Sequence, residues 1–341
     1  MSGTSLDGLD VALCKFALDS NNWSYEILES NTFDYNPEWK SRLDSAHNQS
    51  ANELALMNSE LGILHGNIVK QFIQGISLNV DFISSHGHTV FHQPHKSFTT
   101  QIGSAPHIAV IVGLPVVADF RTTDVALGGQ GAPLVPIGDL HLFKEYDSCL
   151  NLGGVANISI KDNNGIRAFD ICICNMALNF LANKLGKDYD TNGTIASSGK
   201  LNERLFEQLN ALSFYTDIKP KSLGKEFFYT EILPLIENNE YAMEDTLHTL
   251  AEHIAFQIAK SSIGGKLMLV TGGGAFNNFL VQRLKALCEL DIIIPDNNTI
   301  QFKEALIFAF LGVLRMRGEN NCLASVTGAS RDSVGGTIYL S

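Results

Sequence analysis

The order of predicted elements occurs twice along the chain, and this repetition constrains the fold more than any other feature. The first round has β-prone segments at GLDVALCKFAL and WSYEILESNTFDY, a helical pattern over NQSANELALMNSELGILHGNIVKQFIQGI, and a strand running into a polar loop at VDFISSHGHTV. The second round begins with the strand–turn–strand SCLNLGGVANISIKD, followed by the strand and helix of IRAFDICICNMALNFLANKLG. This order predicts two related α/β domains that face each other across a cleft.

Four further segments complete the two rounds. HIAVIVGLPVVADF is predicted to form a helix, a turn and a strand, and KLMLVTGGGAFNNFLVQRLKAL a strand, a glycine loop and a helix. Helices are predicted over MEDTLHTLAEHIAFQIAKSSI, which is amphipathic, and over the apolar KEALIFAFLGVLRMR. The glycine-rich segment ALGGQGAPLVP separates the rounds, so a domain boundary is expected near it.

Composition excludes several classes of function. The 341 residues are 45% hydrophobic, enough for a large core, and the formal charge is −12, from 24 Lys and Arg against 36 Asp and Glu. No segment concentrates basic residues, so no nucleic-acid partner is expected. No apolar run approaches the roughly 18 residues that span a bilayer, and the start does not resemble a signal peptide. Six cysteines in so long a chain do not form a disulfide framework, so a soluble, reduced, cytoplasmic protein is expected.

Three glycine-rich turns, SGTSLDG, NLGGVAN and VTGGGAFN, each connect a strand to another element. Glycine permits positive φ and lets backbone N–H groups approach an anion closely. Thr4 and Ser5 add hydroxyl donors, and Asp7 or Asp10 would hold Mg²⁺ through water. None of the turns matches GxxxxGKS/T or a GxGxxG that opens a Rossmann unit. A single glycine-rich turn is as often an ordinary tight turn as a nucleotide-binding loop. Three such turns at equivalent places favour nucleotide binding.

Six motifs together resemble a known family. In chain order they are MSGTSLDGLDVAL, SSHGHTVFHQP, VVADFRTTDVALGGQGAPLVP, NLGGVANIS, VTGGGAFN and SVTGASRDSVGG. They resemble the successive motifs of the 1,6-anhydro-N-acetylmuramic acid kinase family and span essentially the whole chain. The resemblance implies an α/β fold with two duplicated RNase H-like (actin/hexokinase-type) domains flanking a central cleft. Residues 1–135 and 326–341 would form the first domain, and residues 136–325 the second.

The resemblance implies a bacterial kinase of cell-wall (peptidoglycan) recycling. Such an enzyme uses ATP with Mg²⁺ and water to open the anhydro ring and phosphorylate O6, giving N-acetylmuramic acid 6-phosphate. It acts in the cytoplasm on a small amino sugar, and the resemblance also suggests a homodimer. The residues implied in binding ATP and its phosphates are Gly3, Thr4, Ser5, Leu6, Asp7, Gly8, Leu9, Asp10, Gly153, Gly154, Asn157, Gly272, Gly273 and Gly274.

The segment AFDICICNMALNF contains the candidate catalytic carboxylate. The family shows FD-x-GPGN here, so Asp170 matches the aspartate that serves as catalytic base, and Asn175 matches the asparagine. An aspartate with an ordinary pKa of about 4 is ionised at neutral pH and accepts a proton from water. From the residues alone, Asp170 could instead cap the helix that follows.

Two cysteines in this segment depart from the family pattern. Cys172 and Cys174 stand, with Ile173 between them, where the family has Gly-Pro-Gly. The other cysteines are scattered singly, at Cys14, Cys149, Cys288 and Cys322. A metal site needs about four ligands at matching spacing, so we expect small residues filling a tight turn rather than a metal or redox centre. The exchange would alter the backbone that positions Asp170 if either glycine position requires positive φ.

Four histidines occur within HGHTVFHQPH, namely His86, His88, His92 and His95. Zinc binding is one interpretation of such a cluster, but no Cys or Glu lies nearby at ligand spacing. The family pattern is close to HGQT-x-x-H-x-P, in which His86 and His92 match and His88 replaces a glutamine. A polar loop that faces the sugar is therefore expected.

The resemblance also assigns a sugar site. A lactyl carboxylate and several hydroxyls need a basic donor and amides, and Arg121 suits a carboxylate. The implied substrate-binding residues are His92, Gln101, Arg121, Asp124, Gly131, Ala132, Asn175 and Glu304. Any one of them, taken alone, could instead be a surface or hinge residue.

Other functions fit parts of the pattern. The family has a β-strand ahead of the first phosphate loop, where this chain has Met1. Together with the altered 172–174 turn, this makes a sugar- or nucleotide-binding protein without phosphate transfer the nearest alternative. A repressor of the same superfamily would need a basic helix-turn-helix arm, which we do not find. A plain sugar kinase would phosphorylate N-acetylmuramic acid itself.

Overall fold

The computed structural model describes residues 1–3, 6–163, 165–216, 223–237, 241–262 and 264–341. The fold is mixed α/β. The strands, in chain order, are β1 (Gly8–Asp19), β2 (Asn22–Asp34), β3 (Ile83–Ser85), β4 (His88–Gln93), β5 (Phe98–Ile102), β6 (Val116–Ala118), β7 (Ser148–Leu152), β8 (Val155–Asp162), β9 (Gly165–Ile173), β10 (Leu267–Thr271), β11 (Asp291–Ile293) and β12 (Thr337–Tyr339).

Helices of very different length separate the strands. They are α1 (Pro37–Asp44), α2 (Ala51–Gln74), α3 (Ala105–Val112), α4 (Thr122–Ala126), α5 (Pro136–Leu142), α6 (Asn175–Lys184), α7 (Thr194–Ser198), α8 (Glu203–Asn210), α9 (Lys225–Phe227), α10 (Leu233–Ile236), α11 (Met243–Ser261), α12 (Asn278–Leu287), α13 (Asn297–Arg317) and α14 (Ala324–Thr327). A π-helical turn, Phe228–Ile232, joins α9 to α10. Among the described helices, none combines the length and apolar character needed to cross a bilayer.

Helix α2 begins where the sequence provides a capping box. Ser50 Oγ accepts a hydrogen bond from Glu53 N–H at 3.3 Å, and Ser50 N–H donates to Glu53 Oε2 at 3.0 Å. Met57 and Leu61, four residues apart on one face of the helix, are both buried. The helix predicted over this segment is confirmed.

The strands and helices predicted elsewhere are also confirmed, whereas the polar loop predicted after β3 is wrong. Residues His88–Gln93 form β4, which pairs antiparallel with β5, so that Thr89 lies opposite Gln101 and His92 opposite Thr99. This segment forms a strand because the β-prone residues Thr89, Val90 and Phe91 stand between His88 and His92. The histidines made the segment resemble a polar loop. The histidine-rich segment is therefore one strand of a hairpin.

Contacts divide the chain into two compact units, residues 1–142 with 302–341 and residues 143–301. The predicted division assigns residues 136–142 and 302–325 to the second domain, but they belong to the first unit. Helices α5 and α13 are tied into that unit: Lys303 Nζ lies 2.7 Å from Asp139 Oδ1, and Ser84 Oγ donates to Phe308 O at 2.5 Å. That the two units are duplicated actin-like domains stays a prediction.

The second unit is built on a five-stranded sheet with the order β11-β10-β7-β8-β9. β10 runs parallel to β7 and to β11, and β8 is antiparallel to β7 and β9. Leu150, Leu152 and Ile158 of the central strands belong to one buried cluster with Leu181 of α6 and Leu250 of α11. Helices therefore bury this sheet, as is usual where strands are parallel.

The first unit contains smaller sheets. β1 and β2 form an antiparallel ribbon, β4 and β5 form a hairpin, and β12-β6-β3 form a three-stranded sheet in which β3 is parallel to β6. Ser2 makes isolated bridges to Leu9 and to His88, and so connects the ribbon with the hairpin.

A close approach between α5 and α13 allows a test of this packing. A Cβ on Gly138 would lie 2.5 Å from Ile307 Cγ1, closer than carbon atoms can pack, whereas a Cβ on Gly75 would meet no atom within 4 Å. We expect Gly138→Ala to lower the free energy of unfolding by about 1–3 kcal/mol. The clash outweighs the gain of up to about 1 kcal/mol that alanine brings to a helix.

Gly75→Ala is the matched control, and we expect it to change the free energy of unfolding by less than about 1 kcal/mol. Urea unfolding followed by circular dichroism measures both variants. Coincident unfolding curves for the two variants would show that α5 and α13 do not pack this closely.

Candidate active site

Two glycine turns meet at one edge of the sheet in the second unit. β7 and β10 run parallel with Asn151 opposite Thr271, so both strands end at the same edge. Turn 153–154 follows β7, and turn 272–274 follows β10. The residues of these two turns, predicted from sequence to bind nucleotide, are therefore neighbours in space.

Turn 272–274 requires glycine because it passes so close to β7. Gly272 has a φ of 82°, and a Cβ there would lie 2.4 Å from Asn151 Oδ1. A Cβ on Gly274 would lie 2.7 Å from Leu152 Cβ. Either side chain would push the turns apart, so glycine preserves a narrow edge of backbone groups, the type of surface that binds phosphate.

Asn175, the first residue of α6, connects the two turns. Its Nδ2 donates to Leu152 O at 2.8 Å, and its backbone N–H donates to Gly153 O at 3.1 Å. Its Oδ1 lies 3.1 Å from the place where a Cβ on Gly274 would stand. The Asn175 amide therefore holds the turns together, while its predicted contact with the sugar stays a prediction.

Asp170 lies on β9, opposite Asn157 of β8. Its side chain is half-buried, and Oδ2 accepts a hydrogen bond from Leu223 N–H at 2.8 Å. Burial raises the pKa of Asp170 above the ordinary 3.8, and the bond from Leu223 opposes that rise. The interpretation of Asp170 as a helix cap is wrong, because the N-cap residue of α6 is Cys174.

Cys172 lies on β9, and Cys174 stands between that strand and α6, so the prediction that both cysteines fill a tight turn is wrong for Cys172. Both are buried, unbridged and part of the core cluster of the second unit. Neither has a positive φ, and that of Cys174 is −125°, so replacing glycine causes no backbone strain of that kind. Burial raises the pKa of Cys174 to about 12, which keeps its thiol protonated. Within the described ranges, no three His, Cys, Asp or Glu side chains are grouped to hold a metal.

The first predicted phosphate loop opens the first unit. Thr4 and Ser5 lie outside the described residues, Gly3 and Asp7 are exposed, and Leu6 has a positive φ of 61°. The loop ends at Gly8 and Leu9, the first residues of β1. A Cβ on Gly8 would lie 2.4 Å from the backbone oxygen of residue 33, and Leu9 is buried, so both positions serve the β1–β2 ribbon.

Asp10 and Glu304 of this unit both have raised pKa values. Asp10 Oδ1 accepts a hydrogen bond from Thr32 Oγ1 at 2.6 Å, and burial, together with the charge of Asp7, raises the pKa of Asp10. Desolvation by the surrounding protein raises the pKa of Glu304, although part of the residue is exposed to solvent. The positive charge of Arg121 opposes this rise. The water-mediated Mg²⁺ contact of Asp7 or Asp10 stays a prediction.

Arg121 is fixed against the predicted sugar-binding turn. Nη1 donates to Gly131 O at 2.7 Å, and Nε donates to His86 Nε2 at 3.0 Å. A guanidinium cannot accept, so His86 Nε2 is unprotonated and the imidazole proton lies on Nδ1, 3.0 Å from Gly87 O. Burial and the Arg121 charge hold the pKa of His86 well below its ordinary value, so His86 stays a neutral acceptor.

Asp124 holds the same turn from within the protein. It is fully buried, and its two oxygens accept from Gly131 N–H and from Thr327 Oγ1, each at 2.7 Å. Ala132, the next residue of the turn, is half-buried. Asp124 therefore positions Gly131 and Ala132.

Thr99 brings two other predicted sugar-binding residues together on the β4–β5 hairpin. His92 Nδ1 lies 3.1 Å from Thr99 Oγ1, and Gln101 Nε2 donates to the same hydroxyl at 2.8 Å. His92 is exposed and Gln101 is half-buried. This pair presents an imidazole and an amide from neighbouring strands.

Sequence analysis missed three residues that hold these groups. Leu223 donates to Asp170 from 53 residues away, Thr327 to Asp124 from 203 residues away, and His86 accepts from Arg121 across 35 residues. A backbone N–H has no local signal in a sequence, and a lone threonine has little. His86 and Thr327 lay within the quoted motifs SSHGHTVFHQP and SVTGASRDSVGG, but their hydrogen-bond partners could not be inferred from them.

Comparisons with known proteins agree over the whole chain. The family model of anhydro-N-acetylmuramic acid kinase matches residues 1–341. The chain is 33% identical over 370 residues to the anhydro-N-acetylmuramic acid kinase of Francisella tularensis subsp. novicida, with 99% of this chain and 97% of that protein covered. It is 36% identical over 367 residues to the protein of the same name from Vibrio cholerae, with 99% and 96% covered.

Solved structures are more distant. A ROK family protein from Streptococcus pneumoniae in complex with sucrose covers 91% of this chain and 97% of its own, with a TM-score of 0.34 and 11% identity, which is too low to add anything on the fold. The family match and the curated relatives, by contrast, extend over essentially all residues. The chain belongs to the anhydro-N-acetylmuramic acid kinase family.

Proposed function

We propose that this chain is an ATP-dependent kinase that opens 1,6-anhydro-N-acetylmuramic acid with water and phosphorylates O6, giving N-acetylmuramic acid 6-phosphate. Family membership over the whole chain supports the proposal. The structural observation that carries it is Asp170, a half-buried carboxylate with one oxygen bonded to Leu223 N–H, in the same unit as the two adjoining glycine turns. A half-buried carboxylate with one oxygen free of that bond suits the role of a general base.

The proposed chemistry needs a single base. Ionised Asp170 accepts a proton from water as the water oxygen bonds to C1 of the sugar. The bond between C1 and O6 breaks, and its electron pair remains on O6. O6 then attacks the γ-phosphorus of ATP, and the bond to ADP breaks. One sugar, one water and one ATP give one sugar phosphate, one ADP and a proton, which Asp170 releases to solvent.

Ligand contacts are assigned on the same basis. Turns 153–154 and 272–274, with Asn157 and residues 3–10, would bind ATP through backbone N–H groups. Asp7 or Asp10 would hold Mg²⁺ through water, and the ion supplies positive charge for the phosphates. Arg121 has N–H groups beyond those bonded to His86 and Gly131, and these suit the lactyl carboxylate. His92, Gln101, Asn175 and Glu304 would bind hydroxyls and the acetamido group.

The cellular setting is part of the same proposal. We assign the enzyme to the cytoplasm and to peptidoglycan recycling, and we expect it to form a homodimer. These three assignments rest on the family resemblance alone. No nucleic acid or membrane is assigned as a partner, in line with the net charge of −12.

Replacing the base tests the proposal directly. We expect Asp170→Asn to lower kcat for sugar-dependent ADP release about 100- to 10,000-fold, because an amide cannot accept the proton. The asparagine Oδ1 can still accept from Leu223 N–H, so the surrounding backbone keeps its hydrogen bond. A coupled ADP-release assay with 1,6-anhydro-N-acetylmuramic acid measures the loss.

Asp188→Asn is the control, because Asp188 is an exposed aspartate of the same unit. It should leave kcat unchanged. Equal activity of both variants would exclude Asp170 as the base. Saturable binding of ATP and sugar by the unaltered chain, without ADP release, would contradict the kinase and favour the binding protein.

The pKa of Asp170 predicts the acid limb of the pH profile. Since burial raises this pKa, the ionised base is lost at a higher pH than for an ordinary aspartate as the pH falls. We expect the acid limb of kcat/KM to have its midpoint above pH 3.8. Rates measured from neutral pH downwards, with circular dichroism at each pH to follow folding, locate the midpoint. A flat profile down to pH 3.8 would be inconsistent with Asp170 as base.

Arg121 is expected to act on binding of the sugar. Arg121→Lys keeps the charge but loses the planar set of donors, so the KM for the sugar should rise about 10- to 100-fold, equivalent to about 1.5–3 kcal/mol for a charged hydrogen bond. Arg331→Lys, at an exposed position, is the control and should leave KM unchanged. A KM unaffected by Arg121→Lys would remove Arg121 from the sugar site.

A further inference from the structure

Tyr35, the residue that follows β2, contacts the first predicted phosphate loop at two points. Its backbone N–H donates a hydrogen bond to Asp7 O at 3.1 Å. Its phenolic hydroxyl donates to Ser2 Oγ at 2.9 Å. Ser2 directly precedes Gly3, where the predicted loop begins, and Asp7 lies near its end. One residue from outside the loop therefore holds the loop on both sides.

The hydroxyl of Tyr35 belongs to a buried chain of hydrogen bonds. Tyr35 Oη lies 2.8 Å from His65 Nε2 of α2, and Ser2 Oγ lies 3.1 Å from His88 Nδ1 of β4. Each of these residues is at most 4% exposed. Because the Tyr35 proton is directed at Ser2, His65 Nε2–H donates to Tyr35 Oη. The Ser2 proton then remains for His88 Nδ1, so each hydroxyl donates one hydrogen bond and accepts one.

Burial keeps Tyr35 and His65 uncharged. It raises the pKa of Tyr35 to about 12 and lowers the pKa of His65 to about 3. Near neutral pH the phenol therefore keeps its proton, and the imidazole has one donor nitrogen and one acceptor nitrogen. Removing a hydroxyl from this chain would leave a buried polar neighbour without its partner. We therefore expect the chain of hydrogen bonds to be sensitive to the loss of either hydroxyl.

Ser2 connects this buried chain with the exposed loop. Its backbone bridges to Leu9 of β1 and to His88 of β4, and its side chain bonds to Tyr35 and lies beside His88. Ser2 is buried, whereas the next residue, Gly3, is exposed. The hydrogen bonds of Ser2 thus fix the point from which the predicted phosphate loop starts.

Apolar contacts hold the Tyr35 ring independently of its hydroxyl. Tyr35 belongs to a buried cluster with Leu9 of β1 and Leu61 of α2, and Leu6 of the loop packs against the same cluster. A phenylalanine in place of Tyr35 would keep these contacts, and it would keep the backbone hydrogen bond to the loop. The link from the hydroxyl to Ser2 can therefore be removed by itself.

We propose that Tyr35 is a positioning residue for the first phosphate loop and acts on ATP through Ser2 and Asp7. Its side chain would fix the start of the loop and its backbone the end, so less ordering would remain for ATP binding to impose. This inference rests on the proposed function, because it takes residues 3–10 as part of the ATP site. Tyr35 lies outside all six sequence motifs, and its role follows from its contacts.

The test measures binding of ATP separately from binding of the sugar. Calorimetric titration of the full chain with adenylyl imidodiphosphate, a non-hydrolysable ATP analogue, at fixed Mg²⁺ gives its Kd. We expect Tyr35→Phe to raise this Kd about 3- to 30-fold, because one end of the loop loses its anchor. The KM for 1,6-anhydro-N-acetylmuramic acid, measured at saturating ATP, should stay unchanged.

Ser2→Ala tests the same link from its other end. It should raise the Kd for the analogue about as much as Tyr35→Phe does. The double variant should bind the analogue no more weakly than either single variant, because both substitutions remove the same hydrogen bond.

Tyr215→Phe is the matched control. Tyr215 is 6% exposed, and its hydroxyl lies 3.2 Å from His253 Nε2 in the second unit. This variant also loses a buried hydrogen bond between a phenol and an imidazole, so its Tm should fall. We expect its Kd for the analogue to equal that of the unaltered chain.

The outcomes separate this inference from the proposed function. An unchanged Kd in Tyr35→Phe would overturn the inference and leave the kinase intact. An equal rise in Tyr215→Phe would also overturn it, because the effect would then come from lost stability, and so would additive effects of Tyr35→Phe and Ser2→Ala. No binding of the analogue by the unaltered chain would contradict the proposed ATP site, and this inference with it. Calorimetry does not require turnover, so an inactive chain that binds the analogue still gives a decisive result.

Discussion

The close approach of two backbone turns at the ends of β7 and β10 determines the arrangement of the candidate site in the second unit. A side chain at Gly272 would collide with Asn151 Oδ1, so turn 272–274 can lie against turn 153–154 only with glycine there. Asn175 then bonds to the first turn and lies beside the second, and α6 begins at this residue. The lack of a side chain at Gly272 thus allows the two turns and the start of α6 to lie side by side.

In the first unit, buried hydrogen bonds rather than close backbone contacts hold the candidate site residues in place. Asp124 is tolerated in the interior because both of its oxygens accept hydrogen bonds. Arg121 is held by Gly131 O and by His86, which stays neutral. A neutral acceptor orients the guanidinium without cancelling its charge, so Arg121 keeps a positive charge for an anionic ligand. A carboxylate in place of His86 would orient Arg121 equally well but would neutralise it.

The two cysteines that replace glycines of the family pattern are part of the core of the second unit. Cys172 and Cys174 lie in the core with negative φ, and the backbone that leads from Asp170 to α6 accepts them without strain of the left-handed kind.

Most strands and helices, the three glycine turns and Asp170 as the candidate base could be predicted from the sequence, because periodicity, glycine and short motifs are local properties. The β4–β5 hairpin was not predicted, because the histidines of β4 made a β-prone segment resemble a polar loop. The unit boundaries near residues 142 and 301 were not predicted either. The hydrogen-bond partners of Asp170 and Arg121, and the pKa of Asp170 and of His86, depend on how the chain folds. Leu223 and His86 are distant in sequence, and desolvation depends on all surrounding atoms, whichever part of the chain supplies them.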